Sequence, residues 1–194
     1  MLTPEDAKRS AASTFNAAAD AFDSSSLGFR DYFGRKTVEK LNLREGARVL
    51  DVCCGTGSSA IPAAELVGPS GFVIGIDLAD RLLALARKKA RRRALQNIAF
   101  RAADMLELDY PTESFGVVLC VFGIFFVPDM PVAVRQLWRL VRPGGNLPLR
   151  PGDETFLSRP TACFGDPFGN YDQSCLFRPT PGTVSLIRKG CGKC

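Results

Sequence analysis

Val49-Leu50-Asp51-Val52-Cys53-Cys54-Gly55-Thr56-Gly57 joins a short apolar run to a glycine turn. Glycines at a strand-to-helix turn let the backbone approach a ligand closely and aim N–H groups at it. Asp77 follows about twenty residues later, at the end of the next apolar run, where a carboxylate can accept both hydroxyls of a ribose. Asp51, at the end of the first run, is placed to meet a cationic group. Asp104-Met105 follows the third run, where a carboxylate can accept an adenine amino group. Together these residues describe a site for a nucleoside-containing cofactor, but spacing alone leaves its identity open. Gly55, Gly57 and Ala60 also satisfy the G-x-G-x-x-G/A dinucleotide pattern, and a nicotinamide-dependent oxidoreductase would use the same Asp77.

Composition removes other chemistries. The chain has no histidine, so no histidine base, zinc ligand or Ser-His-Asp triad is available. Asp20, Asp23 and Tyr32 remain as local proton acceptors, none with a signal that assigns it, so the catalytic residue stays unknown. Seven cysteines, without an export signal, point to reduced thiols. Cys53 and Cys54 read as small turn residues. Cys191-Gly192-Lys193-Cys194 has metal-ligand spacing, but one pair supplies half of a zinc shell, so no metal is expected.

The net charge of +5 is concentrated in Arg87-Lys88-Lys89-Ala90-Arg91-Arg92-Arg93. Leu82, Leu83, Ala86, Ala90 and Ala94 mark the dry side of the same helix, so the basic run reads as its wet side and no nucleic-acid partner is expected. No apolar run reaches the ~18 residues of a membrane span. Met1-Leu2-Thr3-Pro4-Glu5-Asp6 carries acids where a signal peptide needs bases, and a cytoplasmic location is expected.

The elements that must position these residues alternate. Thr3-Pro4 predicts a helix start, running to about Phe22, and a second helix spans Gly28 to Leu41 with Phe29, Tyr32 and Phe33 on one side. Strands are predicted at 47–52, 72–77, 98–102 and 115–121. Helices are predicted at 58–67, 81–95 and from an Asp129 cap through Val134, Leu137, Trp138 and Val141. Such alternation implies an α/β fold, a Rossmann-like doubly wound parallel sheet behind N-terminal helices.

The turn motif resembles the first motif of class I S-adenosylmethionine-dependent methyltransferases. The helical residues 1–45 ahead of the first strand, and the placement of Asp51 and Asp104-Met105, favour that cofactor over a dinucleotide. Thr14-Phe15-Asn16-Ala17-Ala18-Ala19-Asp20, Ala103-Asp104-Met105, Ser114-Phe115 and Leu137-Trp138-Arg139-Leu140-Val141-Arg142-Pro143-Gly144-Gly145 are similar to the branch of ubiquinone/menaquinone-biosynthesis C-methyltransferases. The resemblance covers about Thr14 to Gly145. It implies that Cys53, Cys54, Gly55, Thr56 and Gly57 line the methionine part and that Asp77 with Leu78 holds the ribose. It further implies that Asp104 with Met105 flanks adenine and that Val121 with Phe122 sits behind the sulfonium.

Past Gly145 the resemblance stops. Pro148 and Pro151 argue against a central fifth strand, and residues 147–194 read as an irregular Pro/Gly/Cys-rich tail on a truncated or replaced C-terminal part. The division expected is an N-terminal helical cap (1–45), a cofactor-binding core (46–146) and this tail. A sheet stopping at its fourth strand is incomplete and invites self-association through its free edge. The function expected is methyl transfer from S-adenosylmethionine to a small, quinone-like or other lipophilic acceptor. The alternatives are a cofactor-binding but catalytically impaired remnant and an NAD-dependent oxidoreductase.

Overall fold

The periodicities above become a sheet flanked by helices in a computed structural model that describes residues 3–24, 28–150, 175–180 and 183–188. The elements in chain order are α1 (Pro4–Ala17), α2 (Phe29–Glu39), β1 (Arg48–Val52), α3 (Ala60–Val67), β2 (Phe72–Asp77), α4 (Asp80–Arg92), β3 (Ile98–Ala102), β4 (Phe115–Val121), α5 (Met130–Arg139), β5 (Val141–Arg150), β6 (Cys175–Thr180) and β7 (Thr183–Arg188). Spatial order is β3-β2-β1-β4-β5-β7-β6. The first five strands in that order are mutually parallel, and β7 runs antiparallel to both β5 and β6. This is the α/β, Rossmann-like sheet that the alternation predicts.

Side chains alternate across the central strands, so each strand supplies two cores. Leu50 and Val52 of β1, with Val118 and Cys120 of β4, pack under α5 against Val134 and Leu137. Val49 of β1, with Val117 and Leu119 of β4, joins Ala60, Ala63, Ala64 and Val67 of α3 and Leu83 of α4. Leu82, Leu83, Ala86 and Ala90 of α4 are buried, while Lys88, Arg91 and Arg92 are exposed. Burying Leu82 and Leu83 contributes roughly 1.5–3 kcal/mol each. Among the described residues no helix is long and apolar enough to cross a membrane.

Capping follows the sequence. The Thr3 hydroxyl accepts the Asp6 N–H at 3.1 Å, and the Asp6 carboxylate accepts the Thr3 N–H at 3.2 Å, a reciprocal capping box. The Asp129 carboxylate accepts the Val132 N–H at 2.9 Å and starts α5. Helix α1 ends earlier than expected, at Ala17, and a single 3-10 turn at Ala19–Ala21 follows.

The fifth strand corrects the sequence reading. Val141–Arg150 pairs with β4 in parallel: Phe115 lies opposite Val141 and Val117 opposite Asn146. Two steps along β4 therefore face five along β5, and Pro143-Gly144-Gly145 is taken up in a bulge, with Gly144 at φ 77°. Pro148 sits in the strand opposite Ser185 of β7, removing one N–H from the ladder without ending it. The free edge expected after the fourth strand is occupied by β5 and then by the β7/β6 hairpin, which removes the stated ground for self-association. Residues 175–180 and 183–188 likewise correct the reading of the whole tail as irregular; 151–174 and 189–194, including Cys191 and Cys194, lie outside the described residues.

Leu147 in β5 is fully buried beside Phe115, Val118 and Leu137. Leu147→Ala is expected to cost ~2–5 kcal/mol in urea unfolding, as buried leucine truncations do. A cost under about 0.5 kcal/mol, the range of exposed positions, would place Leu147 outside the core and restore the irregular tail.

Candidate active site

β1 leaves the sheet through a turn built of left-handed residues: Cys53 at φ 55°, Gly55 at 53° and Gly57 at 86°. The left-handed region suits glycine, and a side chain there is strained. Three backbone donors shape the turn. The Cys54 N–H donates to the Ile76 carbonyl at 2.9 Å and the Gly57 N–H to the Cys54 carbonyl at 2.8 Å. The Gly55 N–H donates to Asp77 Oδ2 at 2.9 Å, while Asp77 Oδ1 accepts the Ala79 N–H at 2.9 Å. Burial pushes the Asp77 carboxyl above the usual range, partly opposed by these amides. Thr56 Oγ1 donates to Asp23 Oδ1 at 2.7 Å, and Lys89 Nζ donates to the same oxygen at 2.7 Å, tying the turn to the N-terminal segment and to α4.

A cavity of about 510 Å³ opens over this turn at the carboxyl ends of β1, β2 and β4, where parallel sheets bind ligands. Cys53, Cys54, Gly55 and Thr56 line it from the turn, Asp77 and Leu78 from the end of β2. Asp104 and Met105 line it beyond β3, and Val121 and Phe122 from the end of β4. Phe122 is left-handed at φ 61° and its ring meets Phe29 and Phe33 edge-on at 5.7 and 5.9 Å.

Two expected site residues do not line the cavity. Asp51 is fully buried beneath it: Oδ2 accepts the Ser59 hydroxyl at 2.7 Å, and Oδ1 has no hydrogen-bond partner among the described residues. Desolvation raises its pKa from 3.8 to about 7 despite the Ser59 bond. Gly57 faces away from the cavity; a Cβ there would stand 3.0 Å from Ile61 Cδ1 and 3.5 Å from the Ala86 Cβ. Its smallness therefore serves the approach of α3 and α4 behind the turn rather than ligand contact.

The cysteines behave as turn and core residues. The Cys120 contact, then burial, raises the Cys53 thiol, and burial raises Cys54, so both stay protonated. Asp20, Asp23 and Tyr32 do not line the cavity. Asp20 is held by Arg81 at 2.8 and 2.9 Å on the surface, and the Tyr32 ring packs on Phe33. No proton acceptor is assigned.

Sequence reasoning missed the residues that the N-terminal helices bring to the cavity, chiefly Lys8, Phe15, Phe22 and Arg30, and the Phe125-Phe126 pair after β4. Lys8 Nζ bridges Asp104 Oδ2 at 2.6 Å and Glu107 Oε1 at 2.5 Å, and both acids hold its pKa up. Asp104 Oδ1 accepts the Leu106 N–H at 2.8 Å. Phe15 meets Phe126 edge-on at 5.1 Å, and Phe29, Phe125 and Phe126 stay partly exposed at the mouth.

The sequence profile of the ubiE/COQ5 methyltransferase family matches residues 5–154, nine residues past the end of the resemblance read from the motifs. The demethylmenaquinone methyltransferase of Lactobacillus johnsonii is 39% identical over 123 residues, 63% of this chain and 50% of that protein. Its counterpart from Listeria welshimeri is 36% identical over 113 residues, 58% of this chain and 48% of that protein. The chain thus spans about half the length of the curated relatives it matches. The crystal structure of a SAM-dependent methyltransferase from Aquifex aeolicus superposes with a TM-score of 0.68 at 17% identity, covering 89% of this chain and 97% of that one. At that identity the likeness speaks for the fold.

The buried Asp51 gives a pH test. Its carboxyl titrates near 7 in the folded chain and near 3.8 unfolded. The folded state therefore holds an extra proton between these values, and stability falls as pH rises through the window. Asp51→Asn removes this titration. The stability of the variant minus that of the parent should rise from pH 4 to 7 and level off above it, measured by urea unfolding at each pH. A difference independent of pH would show that Asp51 is not a buried, poorly compensated acid.

Proposed function

Because the chain belongs to the ubiE/COQ5 methyltransferase family, we propose that it binds S-adenosylmethionine in the cavity above the Cys53–Gly57 turn and transfers the methyl group to a small, lipophilic, quinol-like acceptor. The observation that carries this reading is the set of three acids spaced along consecutive strand ends. Asp51 lies beneath the turn at β1, Asp77 at β2 and Asp104 beyond β3. They fit the ligand's chemistry. Oδ1 of Asp51 is buried without a hydrogen-bond partner among the described residues, and a sulfonium or ammonium above it would offset the cost of its charged form. Asp77, oriented by two backbone amides, keeps lone pairs for ribose hydroxyls. Asp104 accepts from the adenine amino group beside Lys8.

When bound, the cofactor supplies an electrophilic methyl group on a sulfonium. The protein's task is to align an acceptor with that group and to exclude water. Val121 and Phe122, at the end of β4, support the reacting end. The partly exposed Phe29, Phe125 and Phe126 at the mouth favour a flat or apolar acceptor over a charged one. The demethylmenaquinone methyltransferase names of the relatives agree with a quinol.

Asp77→Ala should weaken S-adenosylmethionine binding by roughly 1.5–3 kcal/mol, the loss of a charge-assisted hydrogen bond, read by calorimetry on a variant with unchanged circular dichroism. Incubation with methyl-labelled S-adenosylmethionine and a panel of acceptors should release S-adenosylhomocysteine with short-tailed hydroquinones and not with primary amines. Turnover confined to the amines would overturn the acceptor class, and an unchanged dissociation constant in the Asp77 variant would remove Asp77 from the ribose site.

A further inference from the structure

Among the described residues two basic side chains line the cavity, Lys8 and Arg30. Lys8 is consumed by Asp104 and Glu107 at the end assigned to adenine. Arg30, in the first turn of α2, has no such counterpart among the described residues. Its Nη1 is buried and lacks a hydrogen-bond partner among the described residues. Burial lowers its pKa, with no acid among the described residues acting against it. Its guanidinium carbon sits 4.1 Å from the centre of the Phe22 ring and 5.0 Å from that of Phe29. Phe22 in turn abuts the glycine turn, since a Cβ on Gly55 would stand 3.3 Å from its ring. A guanidinium packed on two rings has its plane held by its neighbours and its donors left for a planar anion.

We propose that Arg30 binds the α-carboxylate of the cofactor's methionine end. The assignment rests on the S-adenosylmethionine reading above and adds to it the residue that recognises the amino-acid group. The turn that Phe22 touches is the part of the cavity given to methionine, and that group is a zwitterion. Asp51 beneath Ser59 answers its positive charge. Its negative charge needs a cation, and among the described residues Arg30 is the cavity-lining cation with a donor to spare. A carboxylate accepts two parallel N–H bonds from a guanidinium, a geometry that a lysine ammonium does not reproduce.

The test compares S-adenosylmethionine with its decarboxylated analogue, which differs only by loss of the carboxylate, in calorimetric titrations of the full chain and of Arg30→Met and Arg30→Lys. The unmutated protein should bind the analogue roughly ten- to a hundredfold more weakly than the parent cofactor. Arg30→Met should bind both equally, at the affinity of the unmutated protein for the analogue, and Arg30→Lys should recover part of the preference. Equal binding of the two ligands by the unmutated protein overturns the assignment without any variant having to fold. So does an Arg30→Met protein that keeps the preference, or one that loses the same factor for both ligands, which would mark a structural role. Failure of the unmutated protein to bind either ligand removes the cofactor reading and this inference with it. Binding without carboxylate preference removes only the role of Arg30.

Discussion

Gly55 donates its backbone N–H to the Asp77 carboxylate across the gap between β1 and β2, and the shape of the cavity follows from that bond. It requires the chain to leave β1 through left-handed residues, which suits Gly55 and Gly57 and leaves Cys53 strained. The missing side chain of Gly34 brings α2 close to the same turn. A Cβ on Gly34 would lie 2.5 Å from the Ser58 carbonyl oxygen, so α2 rests directly on the turn. That contact places Phe29 and Arg30 over the cavity. The Thr56–Asp23–Lys89 cluster fixes the turn from its other side.

The site's electrostatics follow from the same placement. Strand ends lie at the edge of a dry core, so an acid there is partly or wholly desolvated. Asp51 is the extreme case, with a carboxyl near 7, and Asp77 is shifted in the same direction. In the absence of a cation these acids oppose folding. The proposed cofactor, with a positive sulfonium and ammonium, would offset that opposition and so couple binding to stability. At the mouth the lining changes from acidic to aromatic, and the proposed division between a polar cofactor end and an apolar acceptor end rests on that change.

The sequence made the centre of this arrangement legible and left its margins hidden. β4 has the bounds that the apolar run 115–121 predicts, and Asp129 caps α5 as expected, because both signals are local. Counting Pro148 and Pro151 hid β5: Pro148 costs one donor in a strand otherwise buried through Leu147 and Leu149, and Pro151 lies outside the described residues. Asp51 and Gly57 belong to the turn motif, yet they act from beneath and behind it. A motif records which residues a turn needs and does not separate ligand contact from packing. Lys8 and Arg30 carry no sequence signature at all. Their positions depend on how α1 and α2 land on the sheet, and on a helix they read as ordinary solvated bases.

Amide hydrogen exchange with each cofactor present tests the central claim most directly, because it reads the turn itself. Saturating S-adenosylmethionine should slow exchange in the segments spanning 53–57, 77–79 and 104–106 together, while NAD at the same concentration leaves them unchanged. Protection of those segments by NAD and not by S-adenosylmethionine would contradict the account, as would S-adenosylmethionine binding that protects none of them.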